Sequence, residues 1–261
     1  MKRFICSTIL KAGRLARRYR RHLTDLTIEE KSEKDLVSEA DRAVERFIRS
    51  RIERRFPDHA IAGEEFAPKA GSGKRWQIDP IDGTISFLYG QPHYCVSMAF
   101  EEDGVLKAGA VYAPESGRLF YAEAGRGATV NGKPIHCRRT ENPSKALLTT
   151  GFACIRSGLE KNNIPVFSAV LPKILATRRF GSAALDLCYT ACGEVDGFWE
   201  MNLNSYDVAA GILIAREAGA KVCDFSGGTE KLPSQIVAAH PPLADWICAE
   251  VSKVLNSDIQ S

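Results

Sequence analysis

No apolar run in the 261-residue chain approaches the roughly 18 residues needed to cross a bilayer. A typical long one, residues 208–215, stops between Asp207 and Arg216, so no membrane span is expected. The eight cysteines (6, 95, 137, 154, 188, 192, 223 and 248) contain no C-x-x-C pair. Zinc ribbons and thioredoxin-type redox sites are therefore unsupported. Cys188 and Cys192 share one helix face and read as small core residues. The five histidines (22, 59, 93, 136 and 240) keep no metal-ligand spacing and read as structural or surface groups. Gly71-Ser72-Gly73-Lys74 lacks the Ser/Thr and the spacing of a nucleotide P-loop. Internal repeats, low-complexity tracts and an aromatic-rich RNA-binding motif are also missing. Residues 1–13 loosely mimic a secretion signal, but their apolar stretch, 4–10, is short. Lys11 and a basic segment follow it, without a small-residue cleavage site, so no signal peptide is expected. Free thiols in this number suit a reducing compartment, and a cytoplasmic location is expected.

What is present is an ordinary globular balance, 44% hydrophobic and 26% charged, which argues against disorder. A chain of this length can bury a core without disulfide or zinc staples. We expect a single domain over 1–261 with two subdomains, 1–140 and 141–261. The formal net charge of +3 hides an asymmetry. Residues 1–23 carry eight Lys/Arg and no acid, leaving 27 bases against 32 acids in the rest, a net of −5. Apolar residues at 4, 5, 9, 10, 12, 15, 16 and 19 recur at helical spacing. The basic segment therefore reads as an amphipathic helix with its arginines facing water. Nucleic acid is the alternative occupant of such a face.

A second apolar helical stripe, Val44, Phe47, Ile48, Ile52 and Phe56, predicts a helix over 38–56. Ser38 with Asp41 three residues later fits its start, and Pro57-Asp58 its end. After Trp76 the period changes to two. Residues 96–100, 105–112 and 119–122 read as strands, with turns at Asp103-Gly104, Ser116-Gly117 and Asn131-Gly132. The first subdomain is thus two helices on a largely antiparallel sheet. Beyond about residue 140 strands (146–150, 197–200, 221–224, 235–239) alternate with helices (183–191, 207–218, 243–255), which means strands covered by helices.

The chemistry is concentrated in Asp79-Pro80-Ile81-Asp82-Gly83-Thr84, at the end of the strand Trp76-Gln77-Ile78. Two acids flank a proline, and a glycine then permits an unusual turn. Such a turn can aim both carboxylates and the Ile81 carbonyl into one small volume, as hard oxygen ligands for Mg²⁺. The Gly83 and Thr84 N–H groups then open a helix, a seat for phosphate. Both D-P and D-G are also common turn dipeptides. Two more acidic sites add weight: Gly63-Glu64-Glu65, and Asp207 at a helix start followed by the small Ala209-Ala210-Gly211.

At these residues the chain resembles the inositol monophosphatase family of Mg²⁺-dependent phosphatases. The 79–84 hexapeptide resembles one family signature, and Ser205-Tyr206-Asp207-Val208-Ala209-Ala210-Gly211 the second. Matching segments lie at 34–41, 63–65, 181–184 and 196–200, in order, over roughly residues 5–240. The resemblance implies an α/β layered αβαβα sandwich, acting as a lithium-sensitive homodimeric phosphatase. It implies two or three Mg²⁺ ions: Glu64, Asp79 and the Ile81 carbonyl at the first, Asp79, Asp82 and Asp207 at the second, and Glu64 also at a weaker third. Attack would be in line, by a metal-activated water. Thr84, oriented by Asp41, is the implied proton route, with Glu64 also catalytic. Asp41 thus has two readings, helix cap and catalysis. Asp82, Gly83, Thr84, Ala183, Glu200 and Asp207 are the implied substrate contacts, with Glu65 supporting Glu64. Ser182 and Asp186 are nearby candidates. Tyr206 stands where the family commonly has Trp, and Ile85-Ser86 where Thr-Asn is common. The favoured substrate is inositol 1-phosphate. Histidinol phosphate, fructose 1,6-bisphosphate and 3′-phosphoadenosine nucleotides are the alternatives, because metals see only the phosphate. A non-enzymatic alternative is a regulatory binding module acting through the basic helix; the resemblance extends to bacterial relatives that also serve in transcription complexes.

Overall fold

Apolar residues at helical spacing near the N-terminus, then at alternate positions after Trp76, sort the chain into layers. The computed structural model describes residues 1–23, 26–32, 35–229 and 232–257. Lys34, part of one matching segment, lies outside the described residues. The first part of the chain runs α1 (Lys2–Arg20), β1 (Ile28–Ser32), β2 (Asp35–Ser38), α2 (Glu39–Arg55), β3 (Ala60–Gly63), β4 (Lys74–Asp82) and α3 (Thr84–Leu88). It continues with β5 (Cys95–Glu102), β6 (Val105–Ala113), β7 (Arg118–Glu123), β8 (Ala128–Val130) and β9 (Lys133–Ile135). The second part runs β10 (Leu147–Thr150), α4 (Ala153–Arg156), α5 (Ile164–Val170), β11 (Ala176–Arg178), α6 (Ala183–Ala191) and β12 (Gly197–Met201). It ends with α7 (Ser205–Glu217), β13 (Lys221–Cys223), β14 (Gln235–Ala239) and α8 (Pro241–Ser257).

Strands β3 to β9 form a seven-stranded sheet in sequence order, antiparallel except for β3–β4. The second sheet has the order β11-β10-β12-β14-β13 and is mixed. Helices α1 and α2 cover the outer face of the first sheet. Ile5, Ile9, Ala12, Ala16, Val44, Ile48 and Ile52 pack there with Trp76, Ile78 and Met98. Arg14, Arg17 and Arg18 of α1 and Arg21 just beyond it face water, as the amphipathic pattern requires, whereas Arg20 turns in to pair with Glu115 at 2.8 Å. Helices α6 and α7 fill the space between the sheets, touching Val111 and Phe120 on one side and Phe198 and Ile236 on the other. That explains the apolar run at 208–215: a helix buried all round is apolar all round. Helices α5 and α8 close the far face over Leu148, Trp199 and Val237. The layers are therefore α, β, α, β, α, the sandwich expected.

Three expectations need correction. The strand carrying the aspartates does not stop before them; β4 runs on through Asp82, because the side chains from Trp76 to Ile81 are all buried. Helix α7 begins at Ser205, not Asp207, since Asn204 supplies the cap and Asp207 is the third helical residue. Cys188 is buried, but Cys192 ends α6 half-buried, its sulfur accepting from Arg118 at 3.3 Å. Short strands β1, β2, β3, β8, β9 and β11 went unread.

The central layer depends on close approach. A Cβ on Gly109 of β6 would stand 3.0 Å from the Ala210 Cα and 3.3 Å from its Cβ. Gly109→Val should overpack this contact, costing about 1–3 kcal/mol. A melting temperature several degrees below wild type is the expected result; an unchanged one would mean that sheet and helix are not in this contact.

Candidate active site

In a regular strand, residues three apart point to opposite faces. Asp79 and Asp82 escape this through a bulge. Asp79 pairs with Ser97 but Asp82 with Cys95, so β4 uses one more residue than β5 over the same stretch. Pro80, with no N–H to lose, sits in the irregular step. Both carboxylates thus line one cavity, while the Ile81 side chain goes into the core. Gly83 follows with φ +93°, where a Cβ would also meet the His93 carbonyl oxygen at 2.7 Å. Thr84 then opens α3. Its hydroxyl lies 3.1 Å from the Ile81 carbonyl oxygen and 3.4 Å from Asp41 Oδ1.

The cavity, about 250 Å³, collects Glu64, Asp79, Ile81, Asp82, Gly83, Thr84, Ala183, Glu200 and Asp207 along its walls. Glu64 follows β3, whose Gly63 is in register with Ile78 of β4. Asp207 reaches in from the first turn of α7, with Oδ2 accepting the Asn204 N–H at 2.7 Å. Asp82 Oδ2 accepts the Ser182 hydroxyl at 2.6 Å and the Ala184 N–H at 2.7 Å, tying the first sheet to the start of α6. Glu200 comes from β12 of the other sheet and accepts the Ala153 N–H at 3.1 Å. It is not an exposed strand-end acid; only 6% of it is accessible.

Asp41 lies behind the wall and is fully buried. Its two readings are geometrically compatible, because the carboxylate divides. Oδ2 accepts the Ser38 N–H at 2.9 Å and the Ser38 hydroxyl at 2.6 Å, while Oδ1 faces Thr84. Glu65 does not line the cavity. Its N–H donates to Glu45 at 2.7 Å, and its charge is felt by Arg42. Asp186 is buried with Oδ1 lacking a hydrogen bond.

Burial and mutual repulsion dominate the electrostatics. Asp79 is held well above the usual carboxylate range, first by burial and then by Glu64, Asp82 and Asp207. Burial pushes Asp82 up to about 6 despite its bonds from Ser182 and Ala184. Burial and then Asp82 raise Asp207, against the pull of the Asn204 N–H. Burial also brings Glu200 up to about 7, partly offset by the Ala153 N–H and Arg156. Asp186 is raised by burial and by Glu200.

Among the described residues, no three His, Cys, Asp or Glu groups already close into a ligand shell. The hydrogen bonds show why. Asp79, Asp82 and Asp207 each commit one oxygen to the protein, to Ile81 N–H, to Ser182 and Ala184, and to Asn204. The other oxygen of each makes no such bond among the described residues. The donor set is all oxygen and its charges repel, which fits a hard divalent cation that would draw the carboxylates together. Sequence reading passed over Glu45, Arg156 and Arg179. Glu45 carried a signal, standing one helical turn after Asp41 on the same face. Arg156 and Arg179 line the cavity from loop-rich segments that carry no pattern.

An acid-lined cavity spans both sheets of the layered sandwich, and the comparisons specify its family. The model of the inositol monophosphatase family matches residues 1–256. The chain is 39% identical over 254 residues to the Nus factor SuhB of Pasteurella multocida (strain Pm70), covering 96% of this chain and 95% of that one. It is 36% identical to the inositol-1-monophosphatase of Rhizobium meliloti (strain 1021), covering 95% of each. The crystal structure of extragenic suppressor protein suhB from Bartonella henselae superposes with a TM-score of 0.91 at 33% identity, covering 97% and 98% of the two chains. The chain belongs to the inositol monophosphatase family, whose members use divalent metal ions. Among the described residues no helix is long and apolar enough to cross a membrane.

A carboxyl group whose pKa is raised by folding stabilises the fold while protonated. With Asp82 at about 6 and Glu200 at about 7, that stabilisation is complete below pH ~4 and is lost as pH rises through 6 to 7. Chelator-treated protein should therefore melt at a lower temperature at pH 7.5 than at pH 5. Added Mg²⁺ should raise the melting temperature more at pH 7.5. Scanning calorimetry at both pH values checks this; equal Mg²⁺ effects would count against a cation in the cluster.

Proposed function

We propose that the chain is a Mg²⁺-dependent phosphate monoester hydrolase acting on inositol 1-phosphate. The supporting observation is the convergence of Glu64, Asp79, Asp82 and Asp207 on one cavity beside the Gly83–Thr84 turn. Two or three divalent ions, held by Glu64, Asp79, the Ile81 carbonyl, Asp82 and Asp207, would neutralise the phosphate and acidify a water for in-line attack. With the ions bound, Thr84 would accept a proton from the attacking water while its own hydroxyl proton passes to Asp41 Oδ1, which lies 3.4 Å away. The Gly83 and Thr84 N–H groups orient the ester's phosphoryl oxygens. On the alcohol side, Glu200 and the Ala183 backbone receive the polyol hydroxyls, with Asp207 as a further acceptor. Arg156 and Arg179 add positive charge near the same wall. Homodimer formation and lithium inhibition are expected from family membership alone.

A second reading has its own observation. The Pasteurella relative is named a Nus factor, and the outer face of α1 exposes Lys2, Arg3, Lys11, Arg14, Arg17 and Arg18. A role in a transcription complex through this face is compatible with hydrolysis, because α1 and the cavity lie on different parts of the fold.

The test is hydrolysis of inositol 1-phosphate, histidinol phosphate, fructose 1,6-bisphosphate and 3′-phosphoadenosine 5′-phosphate with Mg²⁺. Asp79→Asn should lower kcat/KM by about 100-fold or more. Glu200→Ala should raise KM for inositol 1-phosphate about 10-fold, the worth of one hydrogen bond to a charged group. Wild-type rates in the Asp79 variant would refute the mechanism; a preference for another ester would refute only the substrate.

A further inference from the structure

Glu45 is a fully buried carboxylate that the proposed chemistry leaves unused. A buried charge is tolerated only when it is paired and hydrogen-bonded. Its Oε1 accepts from Arg49 Nε at 2.7 Å, one turn along α2. Its Oε2 accepts the backbone N–H of Glu65 at 2.7 Å. Arg49 then donates through its other nitrogen to the Phe66 carbonyl at 3.0 Å. On the near side, the carboxylate lies against Gly63, where it occupies the space a Cβ would need. The backbone is thus fixed at Gly63, Glu65 and Phe66, immediately before and after Glu64.

We propose that Glu45, braced by Arg49, is a positioning residue that sets the Glu64 carboxylate at the cavity wall for the divalent cation. Asp41 stands one turn earlier on α2 and faces Thr84. One rigid helix therefore registers two walls of the cavity, the Thr84 turn and the Glu64 turn. Outer hydrogen-bond partners of this kind typically contribute 10–100-fold to metal affinity. This inference rests on the reading of Glu64 as a metal ligand.

The test is Mn²⁺ binding to the full-length protein without substrate, by calorimetry and by the spin resonance of free Mn²⁺, alongside the Mg²⁺ dependence of hydrolysis. Glu45→Gln keeps the side-chain volume and an oxygen but loses the charge pair. It should weaken Mn²⁺ binding about 10-fold and shift the Mg²⁺ activation curve to higher concentration, with high Mg²⁺ recovering turnover. A folded Glu45→Gln protein with wild-type Mn²⁺ affinity overturns the proposal. If that variant does not fold, Arg49→Lys carries the test, because it keeps the charge but loses the reach to Phe66; unchanged affinity there also overturns it. Glu64→Gln separates the two readings: if it binds Mn²⁺ as wild type does, the assignment of Glu64 as a ligand is what fails.

Discussion

Like charges brought together away from water are the constraint around which this molecule is built. Glu64, Asp79, Asp82 and Asp207 come from four separate segments and meet in one cavity, where burial and repulsion raise the last three. Folding free energy alone does not favour such a cluster, since each ionised group costs more with every neighbour. It persists because the scaffold over-determines it. Each aspartate is tied by a backbone N–H: Asp79 to Ile81, Asp82 to Ala184 and Asp207 to Asn204. The same bonds leave the other oxygen of each aspartate without a hydrogen bond among the described residues. A site of this kind is strained in its charges rather than in its backbone.

The layers explain how the strain is carried. The first sheet supplies Asp79 and Asp82 through the bulge in β4, and the second supplies Glu200 through β12. Between them α6 and α7 present their N-terminal turns to the cavity, with Ser182 and Ala184 bonded to Asp82 and Asp207 in the first turn of α7. Those turns carry the positive ends of helix dipoles, which offset part of the acid charge. Helix α2 braces the cavity from outside the sheet through Asp41 and Glu45. The small residues Gly109 and Ala210 let α7 sit against β6 closely enough for Asp207 to reach the cavity.

Much of this was legible because chemistry constrained residue type. The Asp79–Thr84 hexapeptide combines two acids, a proline and a glycine in an order that a simple turn does not require, and Gly83 does adopt positive φ. The burial of α7 was legible as an apolar run between two charges. What escaped reading depends on contacts between distant segments. Nothing local announces that β4 continues through Asp82, because the bulge is defined only against β5. Glu45 looks like any helix acid until Gly63 and Glu65 are seen beside it. The Glu65 side chain, adjacent to Glu64, suggested support for it; the structure adds a bond from the Glu65 backbone N–H to Glu45.

The two ends of the cavity differ in how they are made, and this bears on what sequence can reveal. On the proposed function, the phosphate end would be built from β3, β4, the Gly83 turn and the first turn of α7, which sheet register and backbone hydrogen bonds hold in place. Its residues are few and chemically obligatory, so the class of reaction can be argued from them. The alcohol end would be built from the stretch after β10, from the segment between β11 and α6, and from the loop before α7 and its first turn. There Arg156 and Arg179 line the wall without a motif to fix their identity, and Tyr206, at the start of α7, departs from the Trp common in the matching signature. Glu200, rooted in β12, and Ala183, at the start of α6, stand on regular elements at that end. On that function, substitutions at the alcohol end would change the ester accepted and leave the phosphate end intact, because metal ions there would engage the phosphate and not the group it is esterified to.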